Sequence, residues 1–375
     1  MNERLRVGVV GCGVIAQVMH LPHLAAMEDR YEIAAVCDIS PTVAQECARR
    51  FGAPRALTRW EDVMAEDLDA VLVLTPGSHA PIAVGAAESG KHVFVEKPMC
   101  LTIDEGRGMI DAAASAGVTL MVGTMKRYDP AYERLVDLLP DAGELRLVRV
   151  TTLESPFEPY VAHQRLVGAS DVPADLLAEL KADDDARLDA ALAGTGADEE
   201  TRHCYRYMLL DNLVHEFNAL RGALGEPDRV SFADLSRRVV SVNLGFGDLE
   251  CHLSWVDLPG MARYRQEFNF YGLERRLTLA LPSPYLPNEP SELVIEAGEA
   301  GTTHSSRTSE VVSYEEAFKR ELDEFYDCVT TGREPRTPGI DGLRDVALCG
   351  AVARAHLTRE PVEAPTEIPA KQEVA

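Results

Sequence analysis

The 375-residue sequence predicts a doubly wound parallel α/β domain, followed by a second α/β domain built on a large open, mostly antiparallel sheet. Three observations carry this. Up to about residue 123, short β-branched runs alternate strictly with segments of helical period. The first run ends in Gly11-Cys12-Gly13 and leads straight into a helix. Beyond residue 123 the strands lengthen, alternate in polarity and lose the helices between them.

In the first part the strands are Leu5–Val10, Tyr31–Cys37, Ala70–Leu74, His92–Glu96 and Thr119–Gly123. They are apolar on both faces, as strands covered by helices on each side are. Helices are predicted at about 14–28, 41–51, 81–90 and 102–116. Thr102 and Glu105 have capping-box spacing, and Gly90 and Gly117 stand where helix C-caps belong. Asp129-Pro130 then opens a helix to about Leu139, and Leu145–Glu154 begins the longer strands. Leu249–Val256, Tyr264–Tyr271 and Arg276–Leu281 follow between about 229 and 298. Tyr314, Ala317, Phe318, Leu322 and Phe325 fall at helical spacing, and Leu343–Leu357 forms a second helix. The predicted domains are 1–125 and 126–362, the C-terminal helices packing back on the first, with a flexible tail over 363–375. An acidic helical insertion occupies about 160–205. Within it, residues 171–200 hold ten acids against Lys181 and Arg187, and Leu176, Leu177, Leu180, Leu188 and Leu192 form an apolar stripe. A solvated helix pair explains the charge better than a cation site.

Composition removes whole classes of function. With 37 Lys+Arg against 61 Asp+Glu the net charge is −24, which opposes nucleic acid and anionic membranes as partners. The eight cysteines are scattered without a C-x-x-C pair, so neither a metal site nor a disulfide framework is expected, and a reducing cytoplasm is the natural location. The uncharged stretch Val7–Met27 is broken by glycines, Gln17, His20, Pro22 and His23, and reads as strand, turn and helix rather than a signal peptide.

Gly11-Cys12-Gly13-Val14-Ile15-Ala16 joins strand to helix in the pattern of a dinucleotide turn. Gly11 serves the tight turn, Gly13 the approach of the pyrophosphate, and Ala16 the close helix–strand packing. Gly11, Gly13, Val14 and Ile15 are therefore cofactor-binding candidates. Asp38 ends the second strand, where a carboxylate accepts ribose hydroxyls and repels a 2′-phosphate. No Arg or Lys follows at 39 or 40, so NAD is expected rather than NADP. Thr75, Pro76 and His79, after the third strand, are placed to line the cofactor cleft, although His79 also suits a loop histidine with satisfied bonds. Glu96-Lys97-Pro98 ends the fourth strand; a lysine buried there is costly unless something uses it, and Glu96 serves equally as an ion-pair partner. Asp211 and His215 lie four apart on a predicted helix Leu210–Leu220, a carboxylate beside an imidazole suited to proton transfer.

In this order, Gly-x-Gly-x-x-Ala, Thr75-Pro76, Glu96-Lys97-Pro98, Arg127-Tyr128-Asp129-Pro130 and Asp211-x-x-x-His215 resemble the Gfo/Idh/MocA oxidoreductases, the glucose–fructose oxidoreductase and inositol dehydrogenase type. The resemblance covers nearly the whole chain. It implies a Rossmann domain, and Lys97, His215 and Asp211 as catalytic residues: the lysine between nicotinamide and substrate, the histidine exchanging the hydroxyl proton, the aspartate orienting hydroxyls. It also implies that Glu96, Lys97 and Arg127 contact the cofactor and that the Pro98 peptide is cis. The expected reaction interconverts a secondary alcohol and a ketone on a sugar, sugar derivative or cyclitol. The alternatives are redox-neutral cleavage through transient oxidation, and a non-catalytic sensor on the same fold. A homodimer or homotetramer through the open sheet face is expected. The family's glycines before the aspartate are replaced by Tyr207-Met208-Leu209-Leu210, and its second aspartate by Asn218. Tyr128, Tyr160, Arg165 and Tyr207 serve as substrate contacts or as packing.

Overall fold

The computed structural model describes residues 4–365. The chain divides into two compact units: residues up to 124 with 160–191 and 318–346, and residues 125–159 with 192–317 and those from 347 on.

The first unit is built on six parallel strands: β1 Leu5–Val10, β2 Tyr31–Cys37, β3 Arg55–Leu57, β4 Ala70–Val73, β5 His92–Glu96 and β6 Leu120–Gly123. Their order is β3-β2-β1-β4-β5-β6. The order reverses between β1 and β4, so the crevice beyond their carboxyl ends is the ligand position of such a sheet. Val7, Val9, Val71, Leu72, Val93 and Phe94 are fully buried. The capping box at Thr102 and the left-handed Gly117 are present. The strand β3 and the short helix Trp60–Met64 are additions to the sequence expectation; three residues are too few to show a period. The first helix also differs, holding a π-helical stretch Ala16–His20 before the α-helix Leu21–Ala26.

The second unit carries a nine-stranded sheet: β7 Leu145–Glu154, β8 Arg229–Leu235, β9 Val239–Phe246, β10 Leu249–Asp257, β11 Arg265–Gly272, β12 Arg275–Leu281, β13 Glu292–Gly298, β14 Ser305–Val311 and β15 Val362–Glu363. Its order is β14-β13-β12-β11-β7-β10-β9-β8-β15. Within this sheet, among the described residues, only β7 and β10 pair in parallel. One face buries Val148, Val150, Val242, Leu244, Phe268 and Leu277, while Arg149 and His252 of the alternate phase are exposed.

Three expectations are corrected here. Residues 160–191 belong to the compact unit of the parallel sheet, held there by polar contacts described below. The insertion holds one long helix, Ala174–Ala191, and a short one, Glu199–His203. Only Leu188 and Leu192 of its stripe are buried, while Leu177 and Leu180 are about half exposed (50% and 45%). The C-terminal segment does not fray at 363, because Glu363 pairs with Arg229 and the Ala364 N–H donates to the Asp228 carbonyl; 366–375 lie outside the described residues. Tyr314 precedes the helix Ala317–Thr331, whose Phe318, Leu322 and Phe325 are buried. The final helix is Gly339–Thr358. Among the described residues no helix is long and apolar enough to cross a membrane.

Candidate active site

At the end of β1 the backbone itself dictates glycine. Gly11 has φ +94°, and a Cβ there would lie 2.7 Å from the Leu74 carbonyl carbon and the Thr75 nitrogen. Gly13 is the opposite case: nothing lies within 4 Å of an added Cβ, so the backbone at the start of the helical run faces open space. Val14 and Ile15 are half-buried and Ala16 is fully buried. A strict glycine, an open glycine and a helical run beginning beside them fit a dinucleotide's pyrophosphate. Asp38, half-buried at the end of β2, accepts the Cys12 N–H and the Ser40 N–H, each at 2.9 Å. Each oxygen retains a lone pair for a ribose hydroxyl.

Two turns beyond β4 and β5 meet through His79. Its ring nitrogens lie 2.6 Å from the Thr75 carbonyl oxygen and 2.8 Å from that of Pro98. The side chain is buried, so it braces the two turns and does not line a cleft. Thr75 is half-buried and Pro76 exposed at the same edge. The Lys97–Pro98 peptide is cis, as expected. Lys97 is half-buried rather than buried.

The Glu96 carboxylate points into the core, where its partner is an imidazole rather than a surface base. It accepts the Lys97 N–H at 3.0 Å and lies 2.7 Å from Nε2 of the fully buried His20. Edge-on Phe94 and Phe318 rings flank that imidazole. Glu321 is fully buried in the same cluster, neither carboxyl oxygen having a hydrogen-bond partner. Burial, then the charge of Glu96, pushes its pKa far up, so Glu321 is the neutral member.

In the second unit, Asp129 caps the helix Pro130–Leu138 through the N–H groups of Ala131 and Tyr132 and accepts the Ser291 hydroxyl at 2.7 Å. Arg127 lies against the helix Val214–Leu224, where a Cβ at Gly222 would meet its guanidinium. Tyr128 is 1% exposed, which favours packing over substrate contact. The helix of Asp211 and His215 is not the regular one predicted. A π-helical run Cys204–Leu213 carries exposed Asp211, and His215 sits half-buried in the first turn of the α-helix that follows. Such π segments concentrate at functional positions. Next to His215, Glu216 is buried and accepts the Thr152 hydroxyl at 2.6 Å and the Gln266 amide. Glu154, at the end of β7, accepts the Trp255 indole N–H at 3.3 Å. Burial and then Glu216 push its pKa up against that bond. Tyr207 is exposed, its ring 4.7 Å from that of His203.

The first unit thus gathers Gly11, Gly13, Val14, Ile15, Asp38, Thr75, Pro76 and Lys97 at one sheet edge. Tyr160 and Arg165 belong to this unit too, the Arg165 carbonyl accepting Arg50 at 3.1 Å. Arg127, Tyr128, Tyr207, Asp211 and His215 belong to the second. His20, Glu321, Glu154, Glu216 and Gln266 escaped sequence reasoning. The available signal was a polar residue in the inward phase of a strand or helix.

The sequence model of a family described as oxidoreductases with an NAD-binding Rossmann fold matches residues 5–124. Inositol 2-dehydrogenase 3 of Saccharopolyspora erythraea is 28% identical over 359 residues, covering 94% of this chain and 93% of the relative. The D-xylose 1-dehydrogenase (NADP(+)) 2 of Haloferax volcanii is 28% identical over 366 residues, 95% and 98% of the two chains. Among solved structures, levoglucosan dehydrogenase in complex with NADH and levoglucosan superimposes with a TM-score of 0.74 at 19% identity, covering 97% of this chain and 100% of the other. That likeness concerns the fold alone.

Proposed function

The chain belongs to the Gfo/Idh/MocA oxidoreductase family, and on that footing we propose that it is an NAD-dependent dehydrogenase interconverting a secondary alcohol and a ketone on a sugar, sugar derivative or cyclitol. The observation that carries the reading is Lys97, held half-exposed at the carboxyl edge of the parallel sheet by the anchored Glu96 beneath it. The names of the relatives, which act on inositol and xylose, support the substrate class. Asp38, followed by Ile39 and Ser40 rather than a base, supports NAD over NADP.

Gly11, Gly13 and Asp38 would hold the dinucleotide, and its nicotinamide would supply the hydride acceptor. The residues of the chain handle the rest. His215 accepts the hydroxyl proton, so that one alcohol and one NAD yield one ketone, one NADH and one proton. The Lys97 ammonium stabilises the oxygen as it gains alkoxide character. Asp211 orients neighbouring hydroxyls. The free face of the nine-stranded sheet is the surface we assign to self-association, which sedimentation velocity reads; a monomer at micromolar concentration overturns it.

NADH absorbance with a panel of sugars, glycosides, sugar acids and inositols tests the reaction, with Lys97→Ala run beside the parent. Signal with one substrate subclass is expected, and the variant loses about 2–3 kcal/mol of transition-state stabilisation, roughly 30- to 150-fold in rate. Unchanged turnover in Lys97→Ala sinks the lysine assignment.

A further inference from the structure

The acidic segment 160–191 runs across the carboxyl edge of the parallel sheet and is fastened there at separate points. Gln17, on the helical run after the glycine turn, donates to the Val167 carbonyl at 3.0 Å and accepts the Val167 N–H at 2.9 Å. Toward the other end, the Ser78 N–H donates to Asp184 at 3.3 Å, and Arg187 bonds Glu105. Between these lies Asp171, and its partners are unusual. One carboxylate collects the Ser40 hydroxyl, the Thr42 N–H at 2.9 Å and the Thr42 hydroxyl at 2.6 Å.

Those donors have a particular place in the fold. They open the eleven-residue helix Pro41–Phe51, whose first turn holds no acid of its own. Hydroxyls and a free amide at a helix N-terminus favour an anion. They also begin two residues past Asp38, and Ser40 gives its N–H to Asp38 while giving its hydroxyl to Asp171. In a doubly wound nucleotide fold the residue at the Asp38 position reads the ribose 2′-oxygen, and a 2′-phosphate needs donors and positive charge beside it. The donors are present here, but a protein carboxylate already holds them. Bonds from Ser40 and then Thr42 bring the Asp171 pKa down to about 2, so the group is an anion throughout the neutral range.

We propose that Asp171 is a cofactor-specificity residue: it takes the hydrogen bonds that the 2′-phosphate of NADP would require, and the chain excludes NADP with two carboxylates, Asp38 and Asp171. The 2′-hydroxyl of NAD needs only Asp38 and is unaffected. This rests on the proposed NAD-linked function and adds a selecting residue supplied by the insertion. The competing explanation is that Asp171 is a mechanical latch for the segment, without effect on nucleotide choice.

Titration calorimetry on the full chain separates these without turnover, using NAD and NADP, and 5′-AMP and 2′,5′-ADP as fragments. The parent is expected to bind NAD and 5′-AMP and to disfavour both 2′-phosphorylated ligands. In Asp171→Asn and Asp171→Ala the affinity for NADP and 2′,5′-ADP rises about tenfold, the scale of removing one nearby like charge. NAD and 5′-AMP stay within about threefold, since their ribose contact is Asp38. Asp184→Ala, which loosens the far end of the segment, leaves the NADP-to-NAD ratio at the parent value. An unchanged ratio in both Asp171 variants, or an equal loss for all four ligands, overturns the inference in favour of the latch. A parent chain that binds none of the four overturns the nucleotide reading itself, and the inference with it.

Discussion

The two units solve the same problem twice and with different materials. In each, the residue assigned to the chemistry stands half-buried beside a glutamate that turns into the core: Glu96 before Lys97 and Glu216 after His215. Glu96 is held by an imidazole and a backbone N–H, with a second, neutral carboxyl nearby. Glu216 is held by a hydroxyl and an amide. The first anchor packs two carboxyls against an imidazole, and the second sets neutral donors around Glu216, with Glu154 near enough to feel its charge. Loss of a partner should therefore be harsher, and pH more intrusive, on the Lys97 side.

Removing the two glutamates in parallel is the strongest test of that contrast. Glu96→Ala strands the His20 ring and the Lys97 N–H in a dry core and is expected to cost about 3–5 kcal/mol, the range for breaking one half of a buried ionisable pair. Glu216→Ala leaves only neutral donors. The Gln266 amide already lies 3.2 Å from the Thr152 hydroxyl, so those two can satisfy each other, and about 1–3 kcal/mol is expected. Urea midpoints of the parent and both variants decide it. The contrast breaks if Glu216→Ala is the more damaging.

The same pair shows what the sequence reveals and what it hides. The Lys97 side was legible because its parts are contiguous: a strand that ends in Glu96-Lys97-Pro98 and a glycine turn that only one residue type can make. Strands β1, β2, β5 and β7 lie where the alternation puts them. The Glu216 side was not, because its donors come from strands 64 and 50 residues away. Their one trace is the inward phase of β7, which runs Val148, Val150, Thr152, Glu154 and so turns polar at its end. The π-helical stretches were hidden for another reason: a period fitted to α-helices has no separate signature for i→i+5 bonding. Asp171 was one acid among ten, and only its contact with Ser40, 131 residues distant, sets it apart.

Glu321→Gln sharpens the contrast most gently, because it removes one ionisation while keeping the shape. Glu321 has its pKa raised by burial first and by Glu96 second, well above the ordinary value of 4.5. Below pH 4.5 the folded and unfolded chains both carry its proton, and its contribution to stability is fully present. As pH rises, the unfolded chain releases the proton while the folded one keeps it, so stability falls by up to about 1.4 kcal/mol per pH unit until the folded-state value is reached. Glutamine has no proton to lose, and both proteins retain His20 and Glu96, so those groups largely cancel in the difference. Urea unfolding at pH 5 and pH 8 should therefore show the variant gaining on the parent as pH rises. A stability gap that stays flat between the two means Glu321 ionises in the fold as readily as in the unfolded chain, and the anchor under Lys97 is then no more sensitive to pH than the one under His215.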